Sequence, residues 1–115
     1  MKPSGELLRG NTPTLVLAVL REAPRHGYEI AKEINRRSGD ALKLKQGTLY
    51  PALHALERDG LIVGSWEMPE GERPRKVYQL SEAGKTELQQ RLKAWGEFST
   101  AIEGVIGGKL GEQPI

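Results

Sequence analysis

The chain contains no cysteine and only two histidines among its 115 residues. The lack of cysteine excludes disulfide bonds and thiolate metal ligands, and two histidines are too few to suggest a histidine metal site. No apolar run approaches the length of a membrane-spanning helix. The short apolar run at residues 15–20 lacks the basic leader of a secretory signal. We therefore expect a soluble cytoplasmic protein that has no cofactor, no metal and no membrane partner.

Enzyme motifs are missing as well. The sequence has no His-Glu-x-x-His metal motif and no nucleophile elbow. The glycine-rich segment at residues 104–110 lacks the spacing and the Ser or Thr of a phosphate-binding loop, and it follows a predicted helix instead of preceding one. These absences predict that the chain is not an enzyme.

The charge is weakly basic and unevenly distributed. Seventeen Lys and Arg residues oppose 15 Asp and Glu residues, which gives a net charge of +2. Residues 1–80 hold 13 basic and 10 acidic side chains, whereas residues 81–115 hold 4 and 5. The length suits one small domain with an additional element. This composition permits a nucleic-acid partner without indicating one.

Residues 45–62 are the most informative segment of the chain. Leu49, Leu53 and Leu56 recur at positions i, i+4 and i+7, which predicts a helix that buries one leucine face. The opposite face is polar and aromatic and carries Gly47, Tyr50, Pro51, His54, Glu57 and Arg58. Taken alone, the pattern fits a helix in a DNA major groove and an ordinary amphipathic helix equally well.

Capping residues set the predicted limits of this helix, at about residues 45–59. Thr48 is a suitable N-cap, and Pro51 would then lie in the first turn, where its missing N–H costs no hydrogen bond. Gly60 is a suitable C′ residue that ends the helix.

Two helices are predicted ahead of this segment. In the first, Thr12 is the expected N-cap and Pro13 the first helical residue, and Pro24 follows the apolar block at residues 15–20. An additional turn at Leu7 and Leu8 is expected to pack on a partner. The second helix is predicted at residues 27–38 and ends at Gly39. Its expected inner face consists of Tyr28, Ile30, Ala31 and Ile34, and Leu42 and Leu44 of the following linker are expected to anchor in the core.

After the third helix the hydrophobic period changes from 3.6 to 2. Residues 61–66 and 76–80 read as two antiparallel strands joined by a loop rich in proline, glycine and charge. Trp66 is expected to anchor its strand. Since two isolated strands are only marginally stable, this hairpin must pack against the helices.

The order of three helices and a hairpin is that of a winged helix-turn-helix. We therefore predict a mostly α fold with a small β-hairpin wing and a long C-terminal dimerisation helix. In the hairpin, Arg73, Arg75 and Lys76 are predicted to contact phosphate, and for Arg75 and Lys76 a solvated turn with nothing bound is the alternative. An alternative function is a winged-helix module that binds protein without specific DNA binding. The predicted DNA-binding residues are Lys45, Gln46, Thr48, Tyr50, His54, Arg58, Arg73, Arg75 and Lys76.

The last helix is predicted to begin after the N-cap Ser81 and to run to about Ile106. Its apolar residues follow a 3.5-residue repeat and form a stripe too long for so small a domain to cover, so a second copy is expected to cover it. The predicted division is residues 1–80 for DNA binding, 81–107 for dimerisation and 108–115 as a disordered tail. The predicted dimer residues are Leu88, Leu92, Trp95, Phe98, Ile102, Val105 and Ile106.

Several segments in this order resemble the PadR-like transcriptional regulators. The resemblance covers about residues 15–92 and rests on the motifs HGYEI at 26–30, GTLYPAL at 47–53, LERDGLI at 56–62, RPRKVY at 73–78 and LSEAG at 80–84. It implies a dimeric winged-helix repressor that is released by a small molecule or another signal. The family often has a basic residue where Ala55 stands, so one helix contact is missing here.

The short single C-terminal helix is similar to that of the compact, multidrug-sensing members of the family. In those members a tryptophan on this helix faces its symmetry mate across an open channel, and Trp95 fits that position. Two indole rings near one axis would bind a flat aromatic or cationic effector. The predicted effector residues are Trp95 and Ser99, and the alternative is a closely packed interface without a cavity.

Overall fold

The computed structural model describes residues 5–111 and contains helices around a small three-stranded sheet. The predicted fold class is confirmed, because the described chain is mostly helical, carries a β-hairpin and ends in a long helix. None of the helices in this range is both long and apolar enough to cross a membrane. The elements are α1 Gly5–Leu20, β1 Arg25–His26, α2 Gly27–Arg37, α3 Gln46–Arg58, β2 Ile62–Glu67, β3 Arg75–Leu80 and α4 Glu82–Ile106.

The core forms where α1, α2 and α3 pack together and against the sheet. The predicted leucine face of α3 is buried, with Leu49 and Leu53 fully enclosed. Ile30 of α2 and Leu17 of α1 complete the interior. Leu44 is also buried, which confirms the expected anchoring of the linker between α2 and α3.

Helix α1 begins earlier than the sequence indicated. Thr12 is not an N-cap: it is buried inside the helix, and its hydroxyl donates to the carbonyl of Leu8 at 2.7 Å. Pro13 consequently lies within α1 instead of at its start. The turn expected at Leu7 and Leu8 belongs to the same continuous helix.

The start of α3 also differs from the prediction. Lys45 is the N-cap, with an extended backbone (φ −104°, ψ 158°) and no side-chain capping bond, and Thr48 is already helical. Pro51 therefore lies in the second turn and is exposed. The predicted end is correct, because Gly60 has a φ of 74° and its N–H donates to the carbonyl of Glu57.

The sheet has the order β1-β3-β2, and all neighbours are antiparallel. The predicted hairpin is confirmed, but the two-residue strand β1 is too short to leave a periodic signal. In β2, Ile62 lies opposite Leu80 and both are buried, so their face of the sheet packs on the helices. Trp66 shares that face beyond the core and is 64% exposed, so the expectation that it anchors the strand is wrong.

Helix α4 follows the prediction closely at both ends. The Ser81 hydroxyl accepts the N–H of Gly84 at 3.0 Å, and Gly107 terminates the helix in a left-handed conformation. Gly84 is required where it stands, because a Cβ there would collide with the carbonyl oxygen of Leu61. Residues 108–111 of the expected disordered tail form neither helix nor strand, and residues 112–115 lie outside the described part.

Leu88 corrects the predicted dimer surface. It is only 1% exposed and belongs to the core of its own domain, so it does not face a second copy. The hydrophobic repeat of α4 continues past the end of the globular domain, and the repeat alone does not show where the domain stops covering it.

Candidate nucleic-acid interface

The exposed face of α3 carries the side chains that the sequence singled out. Tyr50, His54 and Arg58 are exposed, and the ring centroids of Tyr50 and His54 lie 6.5 Å apart at a tilt of 49°. Arg58 Nε lies 3.2 Å from Asp59 Oδ1, so its charge is partly compensated. Thr48 is half-buried, whereas Lys45 and Gln46 are exposed at the start of the helix.

Tyr50 also packs against the start of α2. A Cβ atom at Gly27 would lie 3.0 Å from the Tyr50 hydroxyl oxygen, which is too close for most contacts. Glycine at position 27 therefore allows the ring of Tyr50 to pack against the first turn of α2. The sequence left the role of Tyr50 open, and the structure gives it a packing role while leaving 39% of its surface exposed.

The linker before α3 is fixed by a pair of hydrogen bonds that the sequence did not indicate. Asn35 Nδ2 donates to the carbonyl of Leu44 at 3.0 Å, and the N–H of Leu44 donates to Asn35 Oδ1 at 2.7 Å. These two hydrogen bonds hold the backbone of Leu44 as a neighbouring β-strand would. Lys45 is therefore positioned to begin α3. No periodic pattern distinguishes Asn35 from an exposed polar residue.

The wing, defined as residues 62–80, is joined to α3 by an ion pair. Lys76 Nζ donates to Glu57 Oε1 at 2.8 Å and lies 5.4 Å from the centroid of the Tyr78 ring. The hydrogen bond that Lys76 donates to Glu57 raises the pKa of Lys76 above its ordinary value. Gly64 leaves room for this pair, because a Cβ there would collide with the side chain of Lys76. The ammonium group predicted to hold a phosphate is thus directed towards α3.

A second set of contacts joins the wing to the start of α2. His26 Nδ1 lies 2.6 Å from Glu29 Oε1, and its Nε2 lies 3.2 Å from Glu67 Oε2. Arg75 Nε lies 3.5 Å from the same oxygen of Glu67. Sequence reasoning missed this cluster, because Glu67 is 41 residues from His26 along the chain.

The tip of the wing is less basic than its motif suggests. Glu67 and Glu72 both lie near the guanidinium of Arg75. Arg73 is exposed in the loop and has no ion pair with any other residue in the range 5–111. Of the three predicted phosphate ligands, Arg73 is therefore the one whose charge is unused.

One residue that was predicted for the inner face of α2 is exposed instead. Tyr28 is 66% exposed and does not belong to the inner face, whereas Ile30, Ala31 and Ile34 are buried as predicted. Tyr28 lies in the first turn of the helix, where the core no longer covers it.

An apolar groove of about 620 Å³ runs between α1 and α4. Leu7 and Leu8 from α1 and Leu92, Trp95 and Phe98 from α4 contribute to its walls. The Trp95 and Phe98 rings are 6.1 Å apart, and Trp95 is 51% exposed. Further along the helix Val105 and Ile106 are exposed, while Ser99 and Ile102 are half-buried.

Residues 16–90 of the chain match the family described as "Transcriptional regulator PadR-like family". The chain belongs to the PadR-like family. This is a family of transcriptional regulators and not of enzymes. Membership of the family therefore agrees with the lack of enzyme motifs in this PadR-like chain.

Three similar proteins show how far the similarity in sequence and in structure extends. Transcriptional regulator Rv3488 of Mycobacterium tuberculosis is 35% identical over 79 residues, which are 69% of this chain and 70% of that protein. A PadR family transcriptional regulator from Eggerthella lenta superposes with a TM-score of 0.79 at 31% identity, covering 88% of this chain and 86% of its own. Bacillus subtilis PadR in complex with operator DNA superposes with a TM-score of 0.64 at 24% identity, covering 90% of this chain and 49% of that one, which is a likeness of fold alone.

Proposed function

We propose that this PadR-like regulator binds double-stranded DNA as a homodimer and represses transcription from a palindromic operator. The observation that carries the proposal is the exposed face of α3, which is poor in unpaired carboxylates and is held beside the wing by the ion pair of Glu57 with Lys76. In helix-turn-helix proteins such a helix lies in the major groove. Of the similar proteins, the one from Bacillus subtilis is named a negative transcriptional regulator, which supports repression here.

Within this proposal, His54 and the half-buried Thr48 contact base edges. Tyr50 and Arg58 flank them on the exposed face of α3. Lys45 and Gln46 approach the DNA backbone from the start of the helix. An imidazole donates or accepts a hydrogen bond, so His54 is able to contact either kind of base edge.

The wing contributes phosphate contacts mainly through Arg73, which has no carboxylate partner among the described residues. Arg75 contributes after exchanging Glu67 and Glu72 for phosphate oxygens. Lys76 acts through Glu57 and positions the wing instead of holding DNA.

The homodimer is supported by the apolar surface that remains open beyond Leu88. Leu92, Trp95 and Phe98 are between 40% and 56% exposed and form one patch with the groove along α1. Contiguous apolar patches of this kind are rare on monomers, and a second copy of α4 is the occupant we propose. Ile102, Val105 and Ile106 continue the same contact towards the C-terminus.

A small aromatic or cationic effector is the proposed signal. Trp95 and the neighbouring Ser99 would line its site near the two-fold axis, where two indole rings stack on the ligand. Binding there would favour one spacing of the two α3 helices, which are the recognition helices of the dimer, and so change the affinity for DNA.

The test is selection of binding sites from random duplex DNA with the purified protein. We expect a palindromic motif whose half-sites lie about 10 bp apart or a multiple of it. His54→Ala should alter the preference at one or two positions, whereas Gln89→Ala on the exposed surface of α4 should not. Failure to enrich any motif would overturn specific DNA binding and would favour a protein-interaction module.

A further inference from the structure

A cleft of about 670 Å³ lies between α2 and the start of α3. Tyr28, Lys32 and Arg36 line it from α2, and the N-cap Lys45 and the first residue of α3, Gln46, line it from the other side. Gln46 belongs both to this cleft and to the start of the proposed recognition helix. The cleft is thus continuous with the surface proposed to face DNA.

The cleft carries an excess of positive charge. Lys32, Arg36 and Lys45 line it together with a single carboxylate, that of Asp40. Arg36 is held by Glu33, whose pKa falls to about 2 because Arg36 and Arg37 donate hydrogen bonds to it. Lys32 and Lys45 are different, because no carboxylate between residues 5 and 111 lies within ion-pair distance of either ammonium group.

Tyr28 adds a hydroxyl group and an exposed ring at the same place. It follows Gly27, the residue against which Tyr50 packs, and it is exposed at the cleft instead of being buried in the core. The groove along α4 is lined mainly by apolar side chains, whereas most of the side chains that line this cleft are charged or polar. Its chemistry suits an anionic backbone better than an apolar side chain or helix.

We propose that Tyr28, Lys32 and Lys45 bind the phosphate backbone that borders the major groove occupied by α3. This inference rests on the proposed function. It adds a DNA-contacting surface on α2 to the two surfaces already proposed, which are the exposed face of α3 and the wing. When a helix occupies the major groove, the preceding helix of the motif crosses the adjacent backbone. Phosphate contacts at that point fix the orientation of the protein on the duplex and carry no sequence information.

The experiment measures binding of a fluorescein-labelled duplex of mixed sequence by anisotropy at several salt concentrations. The proteins are the wild type, Lys32→Gln/Lys45→Gln, Tyr28→Phe and the control Lys93→Gln, which changes an exposed lysine of α4 outside the cleft. Thermal melts establish that each variant is folded. We expect the double variant to bind roughly tenfold more weakly per lost contact at about 0.1 M salt, with a salt slope reduced by about two units. Tyr28→Phe should weaken binding severalfold without changing the slope.

Three results would overturn the inference. If the wild type binds with a salt-dependent affinity and the double variant has the same affinity and slope, the cleft does not contact DNA although the proposed function stands. If the wild type does not bind the duplex even at low salt, both the proposed function and this inference fail. A loss equal to that of Lys93→Gln would show a general effect of net charge and would also contradict the proposal.

Discussion

Lys76 Nζ lies 2.8 Å from Glu57 Oε1, and this ion pair joins the wing directly to the last turns of α3. Both side chains are about one third exposed or less, so the pair is only partly screened by solvent. A residue that the sequence marked as a phosphate ligand thereby becomes part of the connection between the two elements proposed to contact DNA.

The first prediction separates these two roles of Lys76. If it positions the wing, Lys76→Met and Glu57→Gln should weaken DNA binding to a similar extent, and the double variant should be no weaker than either. The coupling in stability between the two should be about 0.5–1 kcal/mol, as for partly exposed pairs. A salt titration checks the assignment, because a lost phosphate contact would lower the slope by about one unit for Lys76→Met alone.

The second prediction concerns the pH dependence of Glu33. Arg36 and Arg37 lower its pKa from 4.5 to about 2 in the folded state. A carboxyl whose folded pKa is depressed contributes stability above its unfolded pKa, and the contribution is lost as the pH falls through the folded value. Glu33→Gln should therefore be less stable than the wild type at pH 7, and the difference should disappear between about pH 4.5 and pH 2. Urea unfolding measures this, with Glu70→Gln in the wing loop as the matched control. Equal stability of the wild type and Glu33→Gln at pH 7 would contradict it.

Two glycines of the same helix should respond in opposite ways to alanine. At Gly84 a Cβ would collide with the backbone of Leu61, so Gly84→Ala should lose about 1–3 kcal/mol as other overpacked sites do. Nothing lies within 4 Å of a Cβ at Gly96, so Gly96→Ala should gain roughly 0.5–1 kcal/mol from helix propensity. Thermal unfolding of the two variants decides the matter, and a stabilised Gly84→Ala would mean that α4 is not seated on Leu61.

Along α4, neighbouring leucines should separate folding from assembly. Leu88→Ala empties a fully buried position and should cost about 2–5 kcal/mol in stability. Leu92→Glu places a charge on the exposed patch, so the fold should persist while the proposed dimer dissociates. Sedimentation velocity with Gln89→Glu as control tests this. A dimer that survives Leu92→Glu would place the interface elsewhere.

Effector binding should depend on Trp95 and not on Trp66. Both indoles are exposed, but only Trp95 lies on the groove of α4. Planar cationic dyes should quench the fluorescence of the wild type, and Trp95→Ala should abolish tight binding while the protein stays folded. Quenching that is lost in Trp66→Phe and kept in Trp95→Ala would show that the site lies at the wing.

Periodicity in the sequence was sufficient for the architecture, but the predicted caps Thr12 and Thr48 misplaced the starts of α1 and α3, and no pattern indicated the contacts between elements. The leucines of α3 and the serine cap of α4 follow from rules that act within a few residues, and both predictions were correct. A repeat shows that a face is apolar but not what covers it, which is why Leu88 was assigned to a dimer. The bonds of Asn35 with Leu44 and of His26 with Glu67 join residues 9 and 41 positions apart, and such pairs leave no periodic pattern.

Helix α4 is 25 residues long and is seated by Gly84 at its first turn against Leu61. At 1.5 Å per residue it extends about 37 Å from that seat. A rotation of about 5° there displaces the far end by roughly 3 Å, close to the 3.4 Å between successive base pairs. In a dimer joined through α4, a ligand that changed the crossing angle of the two α4 helices by about this amount would shift one recognition helix by roughly one base pair relative to its half-site.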